Sequence, residues 1–164
     1  MPIGRGVPTE TSMAAKRSAQ TVLEPTELLI RVLENRTDAA AFRAYGDWLE
    51  QHGDPRGELI ALQMMMDTGV PFDDLDLRRY TASYLWRHRS LVPKIDPWRT
   101  ELDWKWGFIV GVSIVEPTLR ELEHLLAHPS CVMLESITAH RPTRDMEYRL
   151  EALHPQLEIS IYGR

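Results

Sequence analysis

A chain of 164 residues that is 43% hydrophobic and 26% charged has the make-up of a folded globular protein, which excludes a disordered tail. Its 19 basic and 24 acidic side chains leave a formal charge of −5, too acidic for a protein whose main work is neutralising phosphate along DNA. No uncharged stretch approaches the roughly 20 apolar residues of a bilayer span. The N-terminus has no signal-peptide core and the lone Cys131 cannot form an internal disulfide, so the expected location is the cytoplasm.

The chain reads in three stretches, 1–23, 24–97 and 98–164. Residues 1–22 carry a charge of +2 and are rich in Gly, Pro, Ser and Thr, so a flexible leader is expected there. From Glu24 the spacing turns helical. Thr26 is expected to cap a short helix whose Leu28, Leu29, Val32 and Leu33 form one apolar face. Asp38 caps a second helix with Phe42, Tyr45, Trp48 and Leu49 in line, and Gly53 supplies the left-handed residue that ends it. Asp54 caps a third, with Pro55 at its first position, running through Leu59, Ile60, Leu62, Gln63 and Met66 to a break at Gly69, Val70 and Pro71. A fourth is expected from Asp73 or Asp74, with Leu77, Tyr80, Tyr84 and Leu91 in line before Pro93. Such helices are unstable singly and should pack as a bundle.

The run FRAYGDWLEQHGDPRGELIALQ, Phe42 to Gln63, carries a recognisable pattern. Tyr45, Gly46, Asp47, Trp48, Leu49 and Glu50 are followed by Gly53, Asp54, Pro55, Arg56, Gly57 and Glu58, then by Leu62 and Gln63. This resembles the bacterial repeat-companion domain, a small helical module found beside leucine-rich-like repeats, with Gly46 where that family carries alanine. The resemblance implies an association with repeats and no activity. Physically, the run is a stop-and-start signal between antiparallel helices. Trp48 is expected to fill the corner between them, and Asp47 and Arg56 to form a structural ion pair there.

After Pro97 the sequence becomes strand-like. Phe108 to Val115 is β-branched and uncharged, as a buried strand requires. Pro117 opens a helix with Leu119, Leu122, Leu125 and Leu126, closed by His128 and Pro129. Leu134 to Ala139 forms a second strand, Thr143 caps a helix with Met146, Leu150 and Leu153, and a third strand runs from Leu157 to Ile161 after Pro155. The expected order is βαβαβ. Ile114 to Ile137 spans 23 residues and Ile137 to Ile159 spans 22, inside the window of leucine-rich repeats. Leu134, Ile137 and Ala139 echo the repeat core, but the turning asparagine is absent, because Asn35 is the only one in the chain. Degenerate leucine-rich-like units and a plain βαβαβ layer both stay open.

Candidate chemistry is sparse. His124 and His128 share a helix face at i and i+4 but lack a third ligand and the glutamate of a zinc protease. Cys131 reads as a packed thiol, since adjacency to His128 in sequence supplies no base in space. No glycine-rich phosphate loop exists. Met64, Met65 and Met66 form an adaptable run that a helix end dipping into the core explains in part. No cofactor, metal or catalytic residue is expected.

The stretch 78–105 carries +4 and interleaves Arg78, Arg79, Arg87, Arg89, Lys94, Arg99 and Lys105 with Tyr80, Tyr84, Trp86, Trp98, Trp104 and Trp106. Three readings stay open: an aromatic core with solvated charges, a protein-binding surface, and a single-stranded nucleic-acid surface. Trp104 and Trp106 are expected on one strand face. The residues expected to meet a partner are Arg78, Arg87, Arg89, Trp86, Trp98 and Trp104. The fold expected is α+β, a helical bundle packed on a short βα layer. The function expected is non-enzymatic protein binding or an adaptor role, through the aromatic and basic central segment and an open βα face, with a nucleic-acid-binding accessory protein using 78–105 as the alternative.

Overall fold

The computed structural model describes residues 25–67, 74–153 and 156–163. The expected leader, the break at Gly69 to Pro71, the cap at Asp73 and Pro155 lie outside them. The fold is α+β. Four helices come first: α1 (Pro25–Glu34), α2 (Ala39–Gln51), α3 (Arg56–Asp67) and α4 (Asp74–Arg87). A four-stranded sheet with two crossover helices follows: β1 (Thr100–Lys105), β2 (Phe108–Val115), α5 (Leu119–Leu126), β3 (Ser136–His140), α6 (Arg144–Leu153) and β4 (Glu158–Tyr162). The strand order is β1-β2-β3-β4, with β1 antiparallel to β2 and the other pairs parallel.

The helical caps follow the residues, with one correction. Asp38 accepts from the Ala40 and Ala41 amides, and Asp54 Oδ1 accepts from the Arg56 amide at 2.8 Å. Gly53 takes φ 73° after α2, a conformation a side chain would resist. Thr26, by contrast, is no cap: α1 already includes Pro25, whose missing N–H suits a first turn. Leu28 and Val32 are buried on the expected face.

The corner between α2 and α3 is closed by glycine rather than by Trp48. A Cβ on Gly57 would stand 2.6 Å from the Gly46 carbonyl oxygen and 2.7 Å from the Glu50 amide nitrogen, so the two backbones nearly touch. Gly46 also lies against Ile60, where a Cβ would meet Cγ2 at 3.3 Å. Trp48 is only half-buried and lies over the His52 ring at 3.9 Å. There is no room for an indole at a crossing this close.

The expected Asp47–Arg56 pair is also absent. Asp47 faces solvent, whereas Arg56 turns inward, 8% exposed, with its guanidinium 5.3 Å from the Phe108 ring centre and donating to Ser130 Oγ at 3.1 Å. Asp47 and Arg56 lie nine positions apart on two different helices, and the turn capped by Asp54 sends their side chains to different sides. Leu91, expected on α4, sits instead on a separate 3-10 turn, Arg89–Leu91, and is buried there.

The strand layer gains a member the sequence reading lacked. β1 pairs back on β2 through a two-residue turn, Trp106 and Gly107, both left-handed at φ 44° and 83°. Trp104 and Trp106 therefore share no face. Trp106 sits in the turn, edge-on to Phe42 at 4.8 Å, and its Nε1 donates to Asp67 Oδ2 at 2.6 Å. The ladder slips between Asp103 and Trp104, because Asp103 pairs with Gly111 and Trp104 with Ile109, leaving Val110 as a bulge. Alternation sends adjacent residues of β2 into different cores, Phe108 with Phe42, Tyr45 and Met133 and Ile109 with Leu122, Leu125 and Ile137, and the bulge is what sets Ile109 on the same side as Val112 and Ile114.

The repeat spacing needs one adjustment. Val112, not Ile114, stands opposite Ile137, 25 positions apart, and Ile137 stands opposite Ile159, 22 apart. The asparagine-free corners are built another way. Glu116, Arg141 and Gly163, each just past a parallel strand, take φ 50°, 53° and 78°. The first two open matching Glu-Pro-Thr and Arg-Pro-Thr turns, after which Thr118 and Thr143 receive the amides of Glu121 and Met146. Thr118 and Glu121 complete a reciprocal capping box at α5.

Candidate binding surface

α5 and α6 cover one side of the sheet, where Val112, Ile114, Ile137 and Ala139 are buried with Leu122, Leu125, Met146 and Leu150. Alternation along the strands sends the other set of side chains outward. Three rows cross that open side: Asp103, Gly111, Ser136 and Glu158; then Glu101, Ser113, Thr138 and Ser160; then Val115, His140 and Tyr162. Glu101, Asp103 and Glu158 are exposed, and the hydroxyl residues are half-buried. Gly111 keeps the floor low: a Cβ there would stand 2.7 Å from Asp103 Oδ2, so the carboxylate lies across the glycine.

At the carboxyl ends of the parallel strands this face deepens into a cleft of about 500 Å³, with Trp98, Glu101, Ser113, His140, Arg141 and Tyr162 among its walls. Open α/β sheets place ligands at that end of their strands. Trp98 is 95% exposed and Tyr162 57%, two rings standing at the margin of the cleft. His140 stacks on Tyr162 at 5.5 Å, and its Nε2 lies 3.1 Å from Ser113 Oγ. That pair has the reach of a nucleophile and base, but among the described residues no group orients His140 Nδ1, and the neighbouring strand amides are held in ladders rather than aimed at an oxyanion.

The cations around the cleft are already engaged. Arg99 donates from Nε to Asp96, from its terminal nitrogens to the Val115 and Glu116 carbonyls, and at 2.7 Å to Glu121. Arg141 lies 3.4 Å from Glu116. The hydrogen bonds from the Trp98 amide and Arg99 hold Asp96 below the usual carboxylate range. Burial works to raise Glu121, and the hydrogen bonds from Thr118 together with the Arg99 cation outweigh it and lower the group.

The six residues expected to meet a partner separate in space. Arg78, Trp86, Arg87 and Arg89 are exposed around α4 and the turn after it; Arg89 lies 5.7 Å over Trp86, which is 69% exposed, and Arg87 lies 5.8 Å over Tyr80. Trp98 stands apart, at the sheet cleft. Trp104 is not a surface ring: it is half-buried against both the sheet core and the cluster of Leu59, Tyr84 and Leu91, since the ladder slip turns it inward. Sequence reasoning expected a βα face to bind but, apart from Trp98, named none of the residues on it. Its signal was the alternation Ser113, Ser136, Thr138 and Ser160 between buried neighbours.

The signature residues hold the turn between α2 and α3. Tyr45 is buried and stacked on Phe108 at 6.3 Å, and the Pro55 carbonyl accepts from Tyr84 Oη at 2.9 Å. A second cleft beside this turn is lined by Glu50, Asp54, Glu58, Tyr84 and His88. Among the described residues no cluster of three or more His, Cys, Asp or Glu side chains could hold a metal. His124 faces solvent, and His128 is turned to its own chain, where Nδ1 accepts from the Ser130 amide. Burial pushes the Cys131 thiol up to about 12, which makes it a poor nucleophile. Met64 is buried and Met65 exposed. No described helix is long and apolar enough to cross a membrane.

Compared with known proteins, the chain matches no family model, no curated protein and no solved structure.

Proposed function

We propose that this is a non-enzymatic protein-binding or adaptor module of the cytoplasm, a repeat-companion-like helical unit carrying leucine-rich-like βα units that present an open sheet face to a protein partner. The observation that carries the reading is Trp98, 95% exposed at the margin of a roughly 500 Å³ cleft. Tryptophan is among the residues most enriched at binding hot spots, and this one stands beside a cleft and a second exposed ring, Tyr162. The Trp86, Arg87 and Arg89 patch on the α4 side is a secondary contact. The lone buried thiol accords with a reducing compartment.

Capture from a nuclease-treated lysate of the native cell, read by mass spectrometry, tests it. A stoichiometric protein should be retained by the parent chain, and Trp98→Ala should weaken its binding by more than about 2 kcal/mol, whereas Arg87→Ala and Arg89→Ala should each cost under about 1. A partner that disappears on nuclease treatment would replace this reading with the nucleic-acid one.

A further inference from the structure

Resting on the reading that the open face meets a protein, we propose that what it takes is a basic, extended segment of that partner, with a lysine or arginine head group lodged in the cleft beside Trp98, Glu101 and Tyr162. The argument is one of unbalanced charge. Glu101, Asp103 and Glu158 are exposed on the face, and among the described residues none has a basic group within 4.0 Å. The two arginines at the cleft are spoken for, Arg99 by Asp96 and Glu121 and Arg141 by Glu116. The face therefore carries three unneutralised negative charges and offers no free cation to an anionic ligand.

Ring placement points the same way. Trp98 and Tyr162 stand at the cleft that also contains Glu101, and a cation between a ring face and a carboxylate gains from both. Below them Ser113, Thr138 and Ser160 form a row of hydroxyls that can donate to and accept from an extended backbone. Side chains of an extended strand alternate, so every second residue of the partner faces this floor. A segment with basic residues at alternate positions fits both the charges and the row spacing.

The test uses the full chain and a fluorescein-labelled ten-residue peptide of alternating lysine and threonine, with an alternating glutamate and threonine peptide as its counterpart, followed by anisotropy. The lysine peptide should bind and weaken as salt rises, because exposed charges are screened over about 8–10 Å at ordinary ionic strength. Trp98→Ala, and separately the triple change Glu101→Gln, Asp103→Asn, Glu158→Gln, should each weaken it about tenfold or more. Tyr148→Ala, an exposed ring on α6 away from the face, should change nothing. All these side chains are exposed, so the fold survives each change. No binding of the lysine peptide, equal binding of both peptides, or indifference to the triple change overturns the proposal. Lysate capture separates its failure from that of the broader reading. A partner lost on Trp98→Ala but kept by the triple change removes the basic segment and leaves the docking face. A partner kept by both removes the face.

Discussion

Gly57 and Gly53 sit four residues apart and are glycine for different reasons. At Gly57 the constraint is contact, since any Cβ meets the Gly46 carbonyl and the Glu50 amide well inside van der Waals distance. At Gly53 the constraint is the left-handed backbone, with nothing within 4 Å of an added Cβ. Gly57→Ala should therefore force α2 and α3 apart and lower stability by about 3 kcal/mol, against about 1 kcal/mol for Gly53→Ala. Urea midpoints with equal slopes would show the order, and a reversed order would mean that the crossing relaxes freely. The sequence marked both glycines through one motif, but could not separate the two roles, because spacing along a chain carries no distance across a helix pair.

At the same scale, His128 should make the fold sensitive to acid. Burial, with the Arg56 cation behind it, lowers its pKa from the ordinary 6.5, and the neutral ring accepts from Ser130. As pH falls through the ordinary histidine range, the unfolded chain takes up a proton that the folded one refuses. The stability contributed above that range is thus lost on acidification. Tm should drop between about pH 7 and 5, and His128→Asn, which keeps an acceptor without a titration, should flatten that drop. Asp96 and Glu121, both held low, lose their contribution only below the ordinary carboxylate range, at about pH 4. An unchanged slope in the variant would assign the acid loss elsewhere.

At the scale of elements, the helices were legible and the sheet only half so. Asp38, Asp54 and Gly53 announce helix ends by local hydrogen bonding, which is a property of a few neighbouring residues. β1 was only glimpsed, as a strand face for Trp104 and Trp106 and not as a member of the expected order, because Thr100 to Lys105 mixes charge with tryptophan and only pairing with β2 makes it a strand. The corner Glu-Pro-Thr and its echo Arg-Pro-Thr were present in the sequence and mark the true 25-residue step from Val112 to Ile137. Ile114 was matched to the wrong partner because apolar identity repeats every second residue along a strand, so a slip of two leaves the pattern intact. The Thr118–Glu121 box is the strongest of these local signals. Thr118→Ala should cost about 1 kcal/mol, and Thr118→Ser almost none, in thermal melts of the full chain.

For the whole molecule, Arg56 is one of the ties between helices and sheet, beside the Trp106–Asp67 and Gly107–Gln63 hydrogen bonds. It leaves α3, lies against the Phe108 ring and bonds Ser130, whose hydroxyl in turn donates to the Leu91 carbonyl at 2.7 Å. Its Nε has no acceptor and no carboxylate lies within 4.0 Å of it among the described residues, so only the Ser130 hydrogen bond and the Phe108 ring offset the cost of burying its charge. Arg56→Met should stay within about 1 kcal/mol of the parent, while Arg56→Ala, which empties the space, should lose about 3. Equal losses would show that the guanidinium bond itself holds the halves together. The candidate surface was the least legible feature: basic and aromatic residues clustered in sequence over 78–105 lie around α4, at the cleft and in the core, because three elements divide that stretch.

The division of β2 between two cores has a consequence for how the molecule comes apart. Phe108 and Ile109 are consecutive in one strand yet belong to two apolar clusters, so pulling β2 out of either opens both. The helical and strand halves should then melt as one cooperative unit, with amides of α2 and of β3 exchanging hydrogen at the same global free energy. A cut between residues 97 and 98 would leave the buried sheet cluster in the second fragment but take Phe108 and Met133 away from the helical one, so the helical fragment alone should not give a single sharp transition.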